Sequence, residues 1–510
     1  MGVYRRPRPR PRPRAAGGPA SGRDSDAAKG DVARRSGNPR RAAYQVLAAV
    51  ENREAYANLL LPKLLADRDI TGRDAALATE LAYGTLRGQG TYDAVLSACS
   101  DRPLDKLDPP VRQILRLGAH QLLATRIGAH AAVATSVDLA KQVVGPRVSG
   151  YVNAVLRRVA TRDLDAWLAI VAPDPATDPD GNLAVRCSYP RWIVAAYRAA
   201  LGDAAHAELE AALAEGNTRP KVTMATLPGG ADRERVMPPD AEPGRWSPYA
   251  FTLDSGNPAD LIASGRAAVQ DEASQLAAIA LTRAPLTSLA TDTATPTATA
   301  NAATANGERW LDLCAGPGGK SRLLYGLATI AAPPASLVAA ELHPHRAALV
   351  RETLTRAEQE IAPADRVPVE VVVADGTKPP WPAGSFDRVL VDAPCSGLGA
   401  LRRRPEARWR KAESDIPPLA ELQRALLRSA LATVRPGGVV AYVTCSPVPA
   451  ETRDVVSAVA DADPTVEILD ARAALPDVPG TESAGPLFAQ LWPHRHGTDA
   501  IFIALLRRQG

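Results

Sequence analysis

Cysteine is scarce in this chain and irregularly placed: five residues in 510, at positions 99, 187, 314, 395 and 445. An odd, sparse set of that kind excludes the disulfide framework that holds small secreted domains together. Cys99 and Cys187 read as small buried hydrophobes. No uninterrupted apolar stretch approaches the roughly 20 residues a membrane-spanning helix needs, so no membrane is expected among the partners. The basic N-terminus lacks the apolar segment of a signal peptide, which argues for a cytoplasmic protein. The GxxxxGK[ST] spacing of a P-loop is absent, although Lys320-Ser321 could suggest one. The GxGxxG fingerprint fails as well, because Gly316-Pro317-Gly318-Gly319 lacks the later glycine. His343, His345, His494 and His496 match no standard zinc spacing, and no metal is expected.

What is present is length and apolar content. At 510 residues, 46% of them hydrophobic, the chain should form two to four domains with substantial cores. Its net charge of +4 is unevenly spread: residues 1–41 hold twelve Arg or Lys against three Asp, a net +9, which leaves about −5 for the remainder. Residues 1–36 alternate Arg with Pro and then run into Gly, Ser and Ala. Proline blocks helix and ladder, and like charges repel, so a disordered basic tail is expected. It could neutralise RNA phosphates or merely solvate the chain.

Residues 37–163 repeat apolar positions at helical spacing, as in Ala42, Val46, Leu47 and Val50, or Val133, Val137, Leu139 and Val143. Thr71 looks like a helix start, and Pro109-Pro110 can open another helix. With no strand-period segment between them, an all-α bundle is predicted. Residues 164–265 are mixed, with helices near Trp192–Tyr197 and Leu209–Leu213 and a short strand over 219–226, and read as a small α+β connector. From 266 to 510 strand and helix alternate, interrupted by a Thr/Ala-rich stretch, 284–307, expected to be a disordered insertion. Trp310–Leu313, Ser336–Ala340, Glu370–Val373, Arg388–Val391 and Val439–Val443 are short apolar runs separated by helix-length segments. That rhythm predicts a parallel α/β sheet covered on both faces, with ligands at the carboxyl ends of its strands.

Three segments at such strand ends carry chemistry. Leu311-Asp312-Leu313-Cys314-Ala315-Gly316-Pro317-Gly318-Gly319-Lys320-Ser321 is a glycine turn between strand and helix, suited to close approach of a small cofactor. Val391-Asp392-Ala393-Pro394-Cys395-Ser396-Gly397 and Val443-Thr444-Cys445-Ser446-Pro447 each place a thiol at the exit of an apolar run, 50 positions apart. Asp312, Glu341 and Asp375 put a carboxylate at three successive strand ends, where a ribose and a base edge could be met. Together they point to covalent catalysis beside a bound cofactor. Arg402, Arg403, Arg404, Arg408 and Arg410, interleaved with Trp409, follow Cys395 closely and suit phosphate contacts.

As a set, these segments resemble the RNA cytosine-5 methyltransferases of the Sun/Fmu type. The helical N-terminal part resembles the NusB-like RNA-binding domain of the bacterial 16S rRNA members, the RsmB-like enzymes. Val269-Gln270-Asp271-Glu272-Ala273-Ser274 and Arg435-Pro436-Gly437-Gly438 extend the match. The resemblance implies a C-terminal Rossmann-like class I methyltransferase domain using S-adenosyl-L-methionine and acting, as a monomer, on RNA. It implies that backbone from Cys314 and Ala315 through Gly316, Pro317, Gly318 and Gly319 to Lys320 holds the methionine end of the cofactor. Glu341 would hold the ribose, Asp375 the adenine, with Arg346 nearby and Asp392 between cofactor and target base. Cys445 would be the nucleophile and Cys395 would assist release. A tRNA or other RNA substrate, or an RNA-binding assembly protein without catalysis, are the alternatives. The chain departs from the family where Glu451 is followed by Thr452 rather than Asn, where Asp499-Ala500-Ile501-Phe502 replaces Asp-Gly-Phe-Phe, and where Gly316 replaces a common alanine.

Overall fold

The computed structural model describes residues 37–53, 55–254, 258–287, 307–483 and 485–509. The tail expected over 1–36 lies outside them, as does the 284–307 insertion except for 284–287 and 307.

Helices open the described chain: Pro39–Arg53, Ala57–Ala66, Gly72–Arg87, Gln89–Cys99, Pro109–Ala124, Ala129–Val143 and Ser149–Val159. Thr71 sits at the N-cap of the third, and Pro109 and Pro110 occupy the first turn of the fifth, where a missing N–H removes no bond. The apolar stripe of Pro109–Ala124 centres the bundle: Ile114, Leu115 and Leu117 pack with Leu47, Leu81, Leu96, Val152 and Leu156 in one core.

Four more helices follow, Leu164–Val171, Pro179–Arg186, Arg191–Leu201 and Ala205–Glu215, the first two capped by the side chains of Asp163 and Asp178. The last two do not form a core of their own. Ile193, Tyr197, Leu209 and Leu213 share a cluster with Leu398, Leu401, Ile416 and Trp492, far along the chain. A small antiparallel sheet comes next, made of β1 (Val222–Thr226), β2 (Glu242–Pro243), β3 (Ala250–Leu253) and β4 (Ala267–Val269) in the order β2-β3-β1-β4. The helix Glu272–Arg283 leads from it to the large sheet.

The large sheet has nine strands among the described residues: β5 (Arg309–Asp312), β6 (Ser336–Glu341), β7 (Val369–Val373), β8 (Phe386–Asp392), β9 (Val434–Thr444), β10 (Val466–Leu469), β11 (Glu482–Ser483), β12 (Gly485–Gln490) and β13 (Phe502–Arg508). Its order is β11-β12-β13-β9-β8-β5-β6-β7, with β10 also on β13. The five strands from β7 to β9 are parallel, and β13 runs antiparallel to β9. The sequence runs located those five parallel strands. The antiparallel strands beyond β9 were not anticipated. Helices Gly319–Thr329 and Pro344–Glu360 cover one face through Leu323, Leu324, Val350 and Leu354. Helices Ile416–Thr433 and Arg453–Ala460 cover the other through Leu426, Leu427, Val455 and Val456. Covered on both faces, β8 is buried at five of its seven positions. The chain leaves β5 toward β6 and β7, then returns on the other side of β5 as β8. The crevice at that reversal is where a ligand is met in such sheets.

Candidate active site

Parallel pairing brings the two thiol segments together. Asp392 of β8 lies opposite Val443 of β9, so both strands end at the same level. Ala393 N–H donates to Val443 O at 2.9 Å and Gly399 N–H to Cys445 O at 2.8 Å. Gly399 has to be glycine at this close approach: a Cβ there would lie 2.9 Å from the Cys445 carbonyl carbon and collide with Ala500 O. The result is a Cys395 Sγ to Cys445 Sγ separation of 3.3 Å.

The two thiols are electrostatically unequal. The hydrogen-bonded contact with Cys395 sulfur, together with the nearby Lys320 ammonium, holds the Cys445 thiol below its ordinary value against burial and Asp392. Cys395 is pushed well up, by that same hydrogen bond and by burial. Cys445 is therefore the thiol poised to ionise. Lys320, at the start of Gly319–Thr329, donates to Asp392 Oδ2 at 2.8 Å. Burial would lower its ammonium, but the Asp392 carboxylate more than restores it, and the net direction is upward.

The glycine turn crosses from β5 into that helix. Gly318 has φ +111°, a conformation side-chain-bearing residues rarely adopt. Arg346 Nη2 donates to Gly316 O at 2.5 Å, and its Nη1 lies 3.6 Å from Glu341, which accepts from Gly316 N–H at 3.1 Å and from His343 N–H at 3.0 Å. Glu341 is buried at the end of β6, while Asp375, beyond β7, is exposed and kept below the usual carboxylate range by the Thr377 hydroxyl and N–H. Asp312 differs from the other two strand-end acids. It is 1% exposed, accepts from Ser321 Oγ at 2.6 Å, and is pushed up to about 7 by burial, with Asp392 adding to the shift. It braces the turn from beneath.

The arginine run overturns an expectation. Arg402 bonds Asp499 at 2.6 Å and Asp271 at 2.8 Å, and Arg403 bonds the same two acids at 3.0 and 2.6 Å. Arg408 is 0% exposed; it donates to Ser188 O at 2.9 Å and Asn217 Oδ1 at 2.7 Å and stacks 4.0 Å over the Tyr189 ring. Arg410 donates to Val50 O and Ala55 O at 2.7 and 2.6 Å. Arg402 and Arg408 are buried and Arg403 and Arg410 half-buried, and each of the four guanidinium groups bonds protein acids or carbonyls. Trp409 packs against Gly90. Arg404 is exposed, 5.5 Å over the Tyr56 ring. The sequence reading also missed the brace between the two thiol loops, in which Ser396, Ser446, Gln423 and Glu451 join. Its one signal is that each thiol is followed by serine.

Comparison with known proteins finds relatives of both halves of the chain. A family model described as 16S rRNA methyltransferase RsmB/F matches residues 300–507, and the NusB family model matches 37–161. A Mycobacterium tuberculosis protein provisionally named a methyltransferase is 50% identical over 92% of this chain and 96% of its own length. The ribosomal RNA small subunit methyltransferase B of Pseudomonas putida is 33% identical over 85% of this chain and 91% of its own. The crystal structure of PH0851 superposes with a TM-score of 0.72 at 23% identity, covering 92% of this chain and 98% of that one, a likeness of fold.

Proposed function

Because the chain belongs to the 16S rRNA methyltransferase RsmB/F family, we propose that it transfers a methyl group from S-adenosylmethionine to C5 of a cytosine in 16S rRNA. The observation that carries this reading is the 3.3 Å thiol pair beside the Lys320–Asp392 ion pair. A methyltransferase acting on a nucleophilic nitrogen or oxygen has no use for two converging cysteines. C5 of cytosine is a poor nucleophile, and thiolate addition is the way to activate it.

The residues around the turn fit the cofactor. A Cβ on Gly319 would meet only Gln270 Nε2, at 3.9 Å, so space lies over the helix start, where the first N–H groups have no intrahelical acceptor. Backbone from Cys314 to Lys320 would hold the methionine end, Glu341 the ribose, and Asp375 the adenine, with Arg346 holding Gly316 and Glu341 in place. Bound there, S-adenosylmethionine supplies an electrophilic methyl group.

This chain's residues do the rest. Cys445 thiolate adds to C6, forming an S–C bond and shifting the C5–C6 electron pair toward C5. The Lys320–Asp392 pair faces the charge that develops on the ring, Lys320 as the positive partner and Asp392 as acceptor for the amino group. After methylation the C5 proton leaves to a base, its electron pair restores the double bond, and the Cys445–C6 bond breaks. Cys395 S–H, already hydrogen-bonded to Cys445 sulfur, stabilises the departing thiolate. The target base must be single-stranded or flipped out, at a cost of a few kcal/mol if it begins stacked.

Cys445→Ala should abolish methyl transfer, and Cys395→Ser should leave bond formation intact while accumulating a covalent protein–RNA adduct on denaturing gels. Adduct in the Cys445 variant alone would reverse the two roles. Bisulfite sequencing of RNA from a deletion strain decides the substrate: loss of one 16S cytosine mark is expected, and an unchanged 16S profile with a lost tRNA mark would replace rRNA by tRNA.

A further inference from the structure

Behind the two thiols lies a carboxylate that the covalent chemistry does not use. Glu451 is 0% exposed. Its Oε1 accepts from Ser396 N–H at 2.7 Å and Gln423 Nε2 at 3.2 Å. Its Oε2 accepts from Ser396 Oγ at 2.5 Å and Ser446 Oγ at 2.6 Å. All four donors are neutral groups. Gln423 Nε2 also donates to Pro394 O at 2.8 Å, and Tyr442 O–H to Glu451 O at 2.8 Å. Two of the donors, Ser396 and Ser446, directly follow Cys395 and Cys445 in sequence, so one side chain fastens both thiol loops.

We propose that Glu451 is a positioning residue that sets the separation and orientation of Cys395 and Cys445 by strapping Ser396 and Ser446 to one carboxylate. A buried carboxylate without a cation is tolerated only when its lone pairs are filled, and here they are filled only if both loops are in place. The network is therefore satisfied in one arrangement and broken in any other. Strand pairing brings β8 and β9 level, but the thiols sit three residues beyond Asp392 and one beyond Thr444, past the last ladder pairs. Something other than the sheet has to hold them. The negative charge of Glu451 also disfavours ionisation of Cys395, which keeps that thiol as the donor and Cys445 as the acceptor.

This inference rests on the reading of Cys445 as nucleophile, and its test separates the two. In the full chain, Glu451→Gln keeps the shape but leaves one acceptor oxygen where two serine hydroxyls and an N–H need acceptors. The expected result is a fall in kcat of about 100-fold, the effect of roughly an ångström of misplacement, with the KM for RNA and the cofactor Kd within threefold of wild type. Iodoacetamide labelling at pH 7, read by peptide mass, should favour Cys445 in the wild type and lose most of that preference in the variant. Unchanged kcat and unchanged labelling preference would overturn the proposal. If Glu451→Gln loses cofactor binding through misfolding, Ser446→Ala and Ser396→Ala each remove one strap, and wild-type labelling preference in both would overturn it equally. Labelling needs no turnover: an active Cys445→Ala would sink the catalytic reading while the labelling still judges the clamp.

Discussion

Between Cys395 and Cys445 there is room for one proton to be shared, and the surroundings decide which sulfur keeps it. Cys445 is lowered by the contact with Cys395 and by nearby Lys320, whereas Cys395 is raised by that same contact, by burial and by Glu451. Catalysis that needs the Cys445 thiolate rises with pH until that thiol is ionised. Replacing Cys395 by Ala removes the leading cause of the depressed Cys445 value, so the thiol moves up and the alkaline-rising limb of adduct formation moves to higher pH. The rate of iodoacetamide labelling of Cys445 against pH checks this, and an unmoved limb would show that Lys320 alone sets the ionisation. The pairing of two thiols was legible in the sequence from their strand-end contexts. The buried carboxylate beneath them was not, because Glu451 belongs to no motif that signals chemistry and its partners lie in separate segments of the chain.

At the scale of the element, the loop following Cys395 has the largest consequence. It runs from β8 under the nucleophile, where Gly399 donates to Cys445 O and accepts from Ala500 N–H at 2.9 Å. Gly399→Ala would drive a Cβ into the Cys445 and Ala500 backbones, so the strand ends must separate. We expect transfer to fall at least tenfold and stability to drop by about 1–3 kcal/mol, the usual range for overpacking, read by kinetics and denaturant titration. Normal activity in that variant would mean the loop yields without moving the thiol. The inward contacts of the arginines in the same loop are hidden from the sequence for a physical reason. A run of positive charge beside a catalytic thiol suits phosphate, but sequence does not reveal whether carbonyls and acids are waiting inside. Here Asp271, Asp499, Ser188 O and Val50 O were waiting. The glycine turn, by contrast, was legible, since its local backbone needs are written in its own residues.

Across the whole molecule, the 402–410 segment fastens the helical half to the catalytic sheet. Arg408 reaches Ser188, Gly216 and Asn217, Arg410 reaches Val50 in the last turn of the first helix and Ala55 just beyond it, and Glu406 accepts from Ala57 N–H at 3.2 Å. Arg408→Ala leaves a cavity and several unpaired carbonyls, and should cost about 3 kcal/mol or more. It should lower the melting temperature without changing the salt dependence of RNA binding, because this guanidinium meets no phosphate. A reduced salt slope with unchanged stability would return Arg408 to the RNA surface. The helical periods, the parallel strands and the three cysteine- and glycine-bearing motifs were determined by sequence alone, because periodicity, turn chemistry and motif residues are local properties. Tertiary structure decided what depends on partners distant in the chain: the 3.3 Å thiol contact across 50 residues, the inward use of the arginines, and the Glu451 clamp. Those follow from strand pairing and burial, which no local stretch of sequence encodes.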